Sequence, residues 1–126
     1  MILLLYPILL DVYLHGLPPT VNHSYSSHGK FRYKTFDCKK YQKITAQTLR
    51  LAWNNREPYS KPVQLFITFF TNDHKRWDID NRVKALQDCL NLAGIIKDDS
   101  QINLLHVERS FGTAKSTHLI LKEFQI

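Results

Sequence analysis

Acid is outnumbered in this chain. Three glutamates and eight aspartates make 11 acidic side chains against 17 Lys and Arg, for a net charge of +6 and a pI near 9.4. A basic surface favours polyanionic partners, because phosphate neutralisation supplies most non-specific affinity for nucleic acid. Charge alone does not decide the matter, since many basic proteins bind no DNA. Cysteine is nearly absent. Cys38 and Cys89 stand far apart and form no CxxC, so neither a zinc motif nor a disulfide framework is expected, and both read as buried, reduced thiols. There is no long apolar run. Met1 to Leu10 is almost wholly apolar, but no Lys or Arg precedes it and Asp11 ends it. It lacks the charged start of a signal peptide and the length of a membrane span. No internal repeat, low-complexity tract or linker divides the 126 residues, so they read as one domain, 1–126, with residues 1–7 an extension or an upstream start.

The breaks that are present, Pro18-Pro19, Glu57 to Pro62 and Gly112 to Ser116, separate patterned segments. Residues 8–15 read as a strand, 16–29 as a loop, and 31–34 as a short strand. Residues 36–54 read as a helix with Tyr41, Ile44, Thr45, Thr48, Leu49 and Ala52 on its buried side and Lys39, Lys43 and Arg50 opposite. Residues 63–71, β-branched and aromatic, suggest a central strand. A second helix is expected at 81–93, with Val83, Leu86, Cys89, Leu90 and Ala93 inward and Gly94 as its stop. Residues 102–111 and 117–124 suggest a hairpin, with His106 and His118 packed between its strands. The pattern predicts an α+β fold: a mixed sheet of about four to five strands with two helices packed on it.

Five of the 11 acidic side chains gather in one place. Asp78, Asp80, Asp88, Asp98 and Asp99 fall within 22 residues. Asp80 occupies the N-cap of the second helix in this reading, with Asp78 just before it. Asp80, Lys84, Asp88 and Asn91 share one polar stripe. Carboxylates clustered in this way suit a hard divalent cation such as Mg²⁺, which takes carboxylate oxygens together with substrate phosphate and water. Asp99 is able to join them if the chain returns about 17 Å along a helix roughly 20 Å long, or if a second copy supplies it. Taken singly these residues have plainer readings: a cap, a surface ion pair, a turn. Asp78 has no capping duty, however, and neighbouring aspartates repel unless a cation is present.

The run Arg76-Trp77-Asp78-Ile79-Asp80-Asn81, with Lys84, Asp88 and Ala93-Gly94-Ile95-Ile96-Lys97-Asp98-Asp99, resembles the RusA-type Holliday-junction resolvases. Leu17-Pro18-Pro19-Thr20-Val21-Asn22 resembles that family's Pro-Pro-Ser-x-Asn segment, and the likeness extends over about residues 10–124. It implies a homodimeric endonuclease of bacterial or phage origin, acting in the cytoplasm in DNA recombination and repair. Such an enzyme depends on Mg²⁺, or alternatively Mn²⁺, and makes paired nicks across four-way DNA. The resemblance puts the catalytic positions on Asp78, Asp80, Lys84 and Asp99, with Asp78, Asp80 and Asp99 on the metal and Asp98 the weaker candidate.

DNA contacts are expected from Lys75, Arg76, Lys39, Lys43, Arg50 and Asn22. Where relatives carry an arginine run before the aspartate pair, this chain has Asp73-His74-Lys75-Arg76-Trp77. Trp77 reads as a packing residue, and His23, His28 and His74 have no zinc spacing. Two rival readings stand beside the resolvase: a non-catalytic binder of branched DNA, and a nuclease acting on flaps or other branched forms.

Overall fold

In the computed structural model residues 6–20, 25–28 and 31–125 are described, the short runs 25–28 and 31–34 by backbone alone. The strands are β1 (Ile8–His15), β2 (Tyr25–His28), β3 (Phe31–Lys34), β4 (Val63–Thr71), β5 (Ile102–Phe111) and β6 (Ser116–Glu123). The helices are α1 (Phe36–Trp53) and α2 (Val83–Leu92), and Ile79–Arg82 and Asp99–Gln101 form single 3₁₀ turns. Four strands make one mixed sheet in the order β1-β6-β4-β5. β4 runs antiparallel to β6 and parallel to β5. The α+β expectation holds in its strand count and its two helices.

β4 takes the centre because it is the most apolar strand. Val63, Leu65, Ile67 and Phe69 on its inner face are fully buried, with Leu119 and Leu121 of β6 beside them. α1 and α2 cover that face, contributing Leu49, Trp53, Leu86, Cys89 and Leu90 to one core. A side chain of this size adds about 1.5–3 kcal/mol when fully buried. Both cysteines are free and buried.

Three expectations need correction. β5 and β6 do not form a hairpin, because β4 lies between them. Parallel β4 and β5 are joined by a crossover through α2, and the chain then passes over the end of β4 to reach its other edge. The crossing is visible where the Gly112 N–H donates to Thr71 O at 3.0 Å. His106 and His118 are therefore two strands apart. His106 lies 5.8 Å from the Phe66 ring, and His118 stacks on Tyr13 at 4.1 Å and meets Asp11 Oδ1 at 2.6 Å. Second, residues 16–29 are not all loop: β2 pairs with β3 as a separate two-stranded sheet. Third, α1 buries Cys38, Gln42, Thr45, Ala46, Leu49 and Trp53, while Ile44 is 54% exposed and Thr48 and Ala52 face outward. The buried face is turned by about 80° from the expected one. Two side chains set the turn. Trp53 donates its indole N–H to Arg56 O, and Gln42 reaches Asp88 on α2. Neither contributes to an aliphatic wheel.

Candidate active site

The β4–α2–β5 crossover places the aspartates. Residues 72–78 leave the last residue of β4 in a turn built on Asp73, whose Oδ1 accepts the Lys75 N–H at 3.1 Å. That bond first, and then Lys115 at 3.2 Å, hold the Asp73 carboxyl below the usual carboxylate range. Trp77 follows. Its ring meets Phe69 edge-on at 5.9 Å and has two guanidinium groups over it, Arg82 at 4.6 Å and Arg109 at 5.1 Å. Arg109 also donates to Trp77 O at 2.8 Å, and Arg82 donates to Pro18 O at 2.6 Å. The Pro-Pro segment and the aspartate pair, about 60 residues apart in sequence, are thus tied by one arginine. Trp77 is half-buried against the core, as a packing residue should be.

Fixed in this way, Asp78 and Asp80 point into solvent. Asp78, not Asp80, holds the N-cap position of the 3₁₀ turn, and its side chain makes no capping bond. Among the described residues neither carboxylate has a hydrogen-bond or ion-pair partner. Arg82, not Asp80, precedes α2 proper. Lys84 Nζ lies 3.6 Å from Asp88 Oδ1, with the lysine 54% and the aspartate 17% exposed. Gln42 of α1 donates to the other Asp88 oxygen at 3.4 Å. The polar stripe of α2 is therefore real, and Asp88 is its structural member.

Asp99 stands at the opposite end of α2, where its Oδ1 accepts from Asn91 Nδ2 at 2.8 Å. The eight residue steps from Val83 to Asn91 alone put about 12 Å of helix between that end and the Asp78–Asp80 turn. The chain does not fold back over the helix. Among the described residues of one chain, no three Asp, Glu, His or Cys side chains lie close enough to hold a metal ion together. Asp98 is committed to the fold: it accepts from Ser100 N at 3.0 Å while Gln101 Oε1 accepts the Asp98 N–H at 2.9 Å, a reciprocal capping box. Hydrogen bonds from Ser100, side chain and then backbone, hold its carboxyl below the usual range.

Lys75 and Arg76 are exposed on the turn before Asp78. Lys39, Lys43 and Arg50 line a groove beside α2, on the flank away from β1. Asn22 lies outside the described residues.

The sequence profile of the family described as "Endodeoxyribonuclease RusA" matches residues 16–121. The chain belongs to that family. A curated relative, the crossover junction endodeoxyribonuclease RusA of Aquifex aeolicus (strain VF5), is 27% identical over 122 residues, 92% of this chain and 93% of its own length. As a member of an endodeoxyribonuclease family, this chain is a DNA-cutting enzyme. Among the described residues, no helix is long and apolar enough to cross a membrane.

Sequence reasoning missed four residues around this site. Arg82, Arg109 and Gln42 act through tertiary contacts, which leave no local pattern. The fourth, Gln101, was within reach, because Asp-x-x-Gln at 98–101 is a capping-box spacing. Asn91 was placed on the polar stripe, but its bond to Asp99 was not foreseen.

Proposed function

We propose that the protein is a homodimeric, Mg²⁺-dependent endonuclease that makes paired nicks in four-way DNA junctions, in recombination and repair. The observation that carries the reading is the exposed pair Asp78 and Asp80, without partners among the described residues and held on a basic enzyme whose family cuts DNA. A carboxylate pair with no structural partner fits a cation that arrives with its substrate.

Asp78 and Asp80 of one chain supply two ligands, and the third comes from Asp99 of the partner subunit. Support lies in the sheet. β5 is its edge, with no strand on its outer side among the described residues, and carries exposed Leu104, Leu105 and Phe111. An open apolar edge invites a second strand. Two β5 strands paired antiparallel about a two-fold axis set the start of one, beside Asp99, against the end of the other, beside Trp77 and Asp78. A two-fold dimer also matches the two equivalent strands of a four-way junction. β4, by contrast, lies at the centre of the sheet with one face in the core.

A bound divalent ion activates water and stabilises the leaving oxygen of an in-line phosphodiester displacement. Lys84 stands on the first turn of α2, just after the aspartate pair in sequence, with its ammonium at Asp88. Its exposed ion pair with Asp88 is worth about 0–1 kcal/mol, so the ammonium turns cheaply toward a scissile phosphate as charge develops there. Asn91 orients Asp99 through one oxygen and leaves the other free.

The decisive experiment mixes two inactive variants. Asp80→Asn and Asp99→Asn homodimers are each expected to cut no junction in Mg²⁺. In a mixed dimer the two substitutions fall into the same shared site and the other site is intact, so nicking returns. Two silent variants that stay silent after subunit exchange would mean that each site is built within one chain. Failure of the unmodified enzyme to cut a four-way junction, with linear duplex and a flap alongside, would remove the junction reading itself.

A further inference from the structure

The groove along the seam of α1 and α2 has a use that the cutting site leaves open. Resting on the reading of the protein as a nuclease for branched DNA, we propose that this seam is a track for the phosphate backbone of one duplex arm, with Lys39 and Lys43 as its phosphate contacts.

The three cations of α1 that line it, Lys39, Lys43 and Arg50, fall within about 40° of one another around the helix axis. They extend over about 17 Å, the rise of about five phosphates along one strand. They line a concavity of about 400 Å³, together with Gln42, Gln47 and Leu92, and no acidic side chain lines it. A solvated helix face is convex, and its charges commonly find neighbours of opposite sign. Here Lys84 and Lys115 have such neighbours in Asp88 and Asp73, while Lys39, Lys43 and Arg50 have no ion pair among the described residues. Arg50 does have a structural bond, donating to Leu92 O at 2.9 Å at the end of α2, which fixes that end of the groove. The two lysines have no such duty.

The seam also leads to the chemistry. Gln42, between Lys39 and Lys43 on the groove wall, bonds to Asp88, which pairs with Lys84. A strand entering past Lys84 therefore continues along a cationic wall one helix away. Phosphate contacts of this kind set register on the duplex and carry no sequence information.

The test compares two charge-matched variants of the full chain, Lys39→Glu/Lys43→Glu on the seam and Lys61→Glu/Lys122→Glu elsewhere. Affinity for a four-way junction is measured by fluorescence anisotropy in EDTA across a range of salt. The seam variant is expected to bind at least about ten times more weakly than the control. Its log Kd against log salt slope flattens by about 2 for each track engaged, at roughly 0.9 for each phosphate no longer neutralised. Circular dichroism melting checks the fold, and Lys39→Gln/Lys43→Gln gives the same comparison, against Lys61→Gln/Lys122→Gln, if charge reversal unfolds the chain. Equal affinity and slope in seam and control variants, with the unmodified protein binding normally, would overturn the track alone. An unmodified protein that binds no branched DNA would overturn the underlying reading and the track with it.

Discussion

The two ends of α2 carry the same kind of side chain in opposite states. At its start Asp78 and Asp80 are exposed and bonded to nothing among the described residues. At its end Asp98 is held by Ser100 and Gln101, and Asp99 by Asn91. The bonded carboxylates lower the energy of the fold. The free pair raises it slightly, by an exposed repulsion of less than about 1 kcal/mol in water. Around that free pair the fold is unusually well braced, with Trp77 gripped by two arginines and seated on Phe69. Rigid support under unsatisfied charge is how a site is kept ready for something outside the chain.

The comparison breaks most visibly at Asp80. Asp80→Asn keeps the shape and removes the charge, so cutting should fall by about 10³ or more, the several kcal/mol that a metal supplies. Folding should be unchanged or slightly more stable, and junction binding should hold or tighten. Gel shift and cleavage assays on one preparation give both numbers, and robust cutting by the variant would rule out Asp80 as a ligand.

Lys84 comes next. Lys84→Ala should lower the cutting rate by about 10²–10³, the usual cost of removing one group aimed at developing charge. Thermal stability should barely move, since an exposed i,i+4 pair contributes about 0–1 kcal/mol. A variant that melts early but cuts at full rate in its folded fraction would make the lysine structural.

Much of this comparison was legible before any coordinates. The strand and helix positions at 8–15, 36–54 and 63–71 follow from period and residue type, and the acidic stripe follows from helical spacing. What was not legible is what sits beside what. A Gly-Thr-Ala-Lys link reads the same whether its strands pair directly or straddle a third, and only the demand of β4 for the centre decides between them. The face of α1 was misjudged because Gln42 and Cys38 are buried there while Ile44 is not. The reach of Asp99 was left open by arithmetic and is settled within one chain by a single bond to Asn91.

Arg82 sharpens the comparison by loosening the brace without touching the carboxylates. Arg82→Met removes the bond to Pro18 O and the stacking on Trp77, and should cost about 2 kcal/mol of stability. Urea denaturation measures this. If the brace positions Asp78 and Asp80, the cutting rate of the folded variant falls and its Mg²⁺ requirement rises together. Loss of stability with an unaltered Mg²⁺ titration would confine Arg82 to folding.

The smallest effect tests the bonded end. Asp98→Asn leaves an acceptor at the cap and removes only the charge, so cutting should be unchanged, in contrast to the same substitution at Asp80. The difference between Asp98→Asn and the unmodified protein should depend on pH in one direction only. Because Ser100 holds the folded-state carboxyl below its ordinary value of 3.8, the charged cap stabilises the fold above that value. This contribution is lost as pH falls from there through the depressed folded value, while the asparagine does not titrate. Asp73 shifts in the same direction, but it is present in both proteins and drops out of the difference. Thermal midpoints should therefore be separated by a small, constant gap at neutral pH that closes in acid below 3.8. A gap that widens in acid would mean that Asp98 is held protonated and not ionised. A loss of cutting on the scale of Asp80→Asn would mean that the two ends of α2 do not divide structure from chemistry.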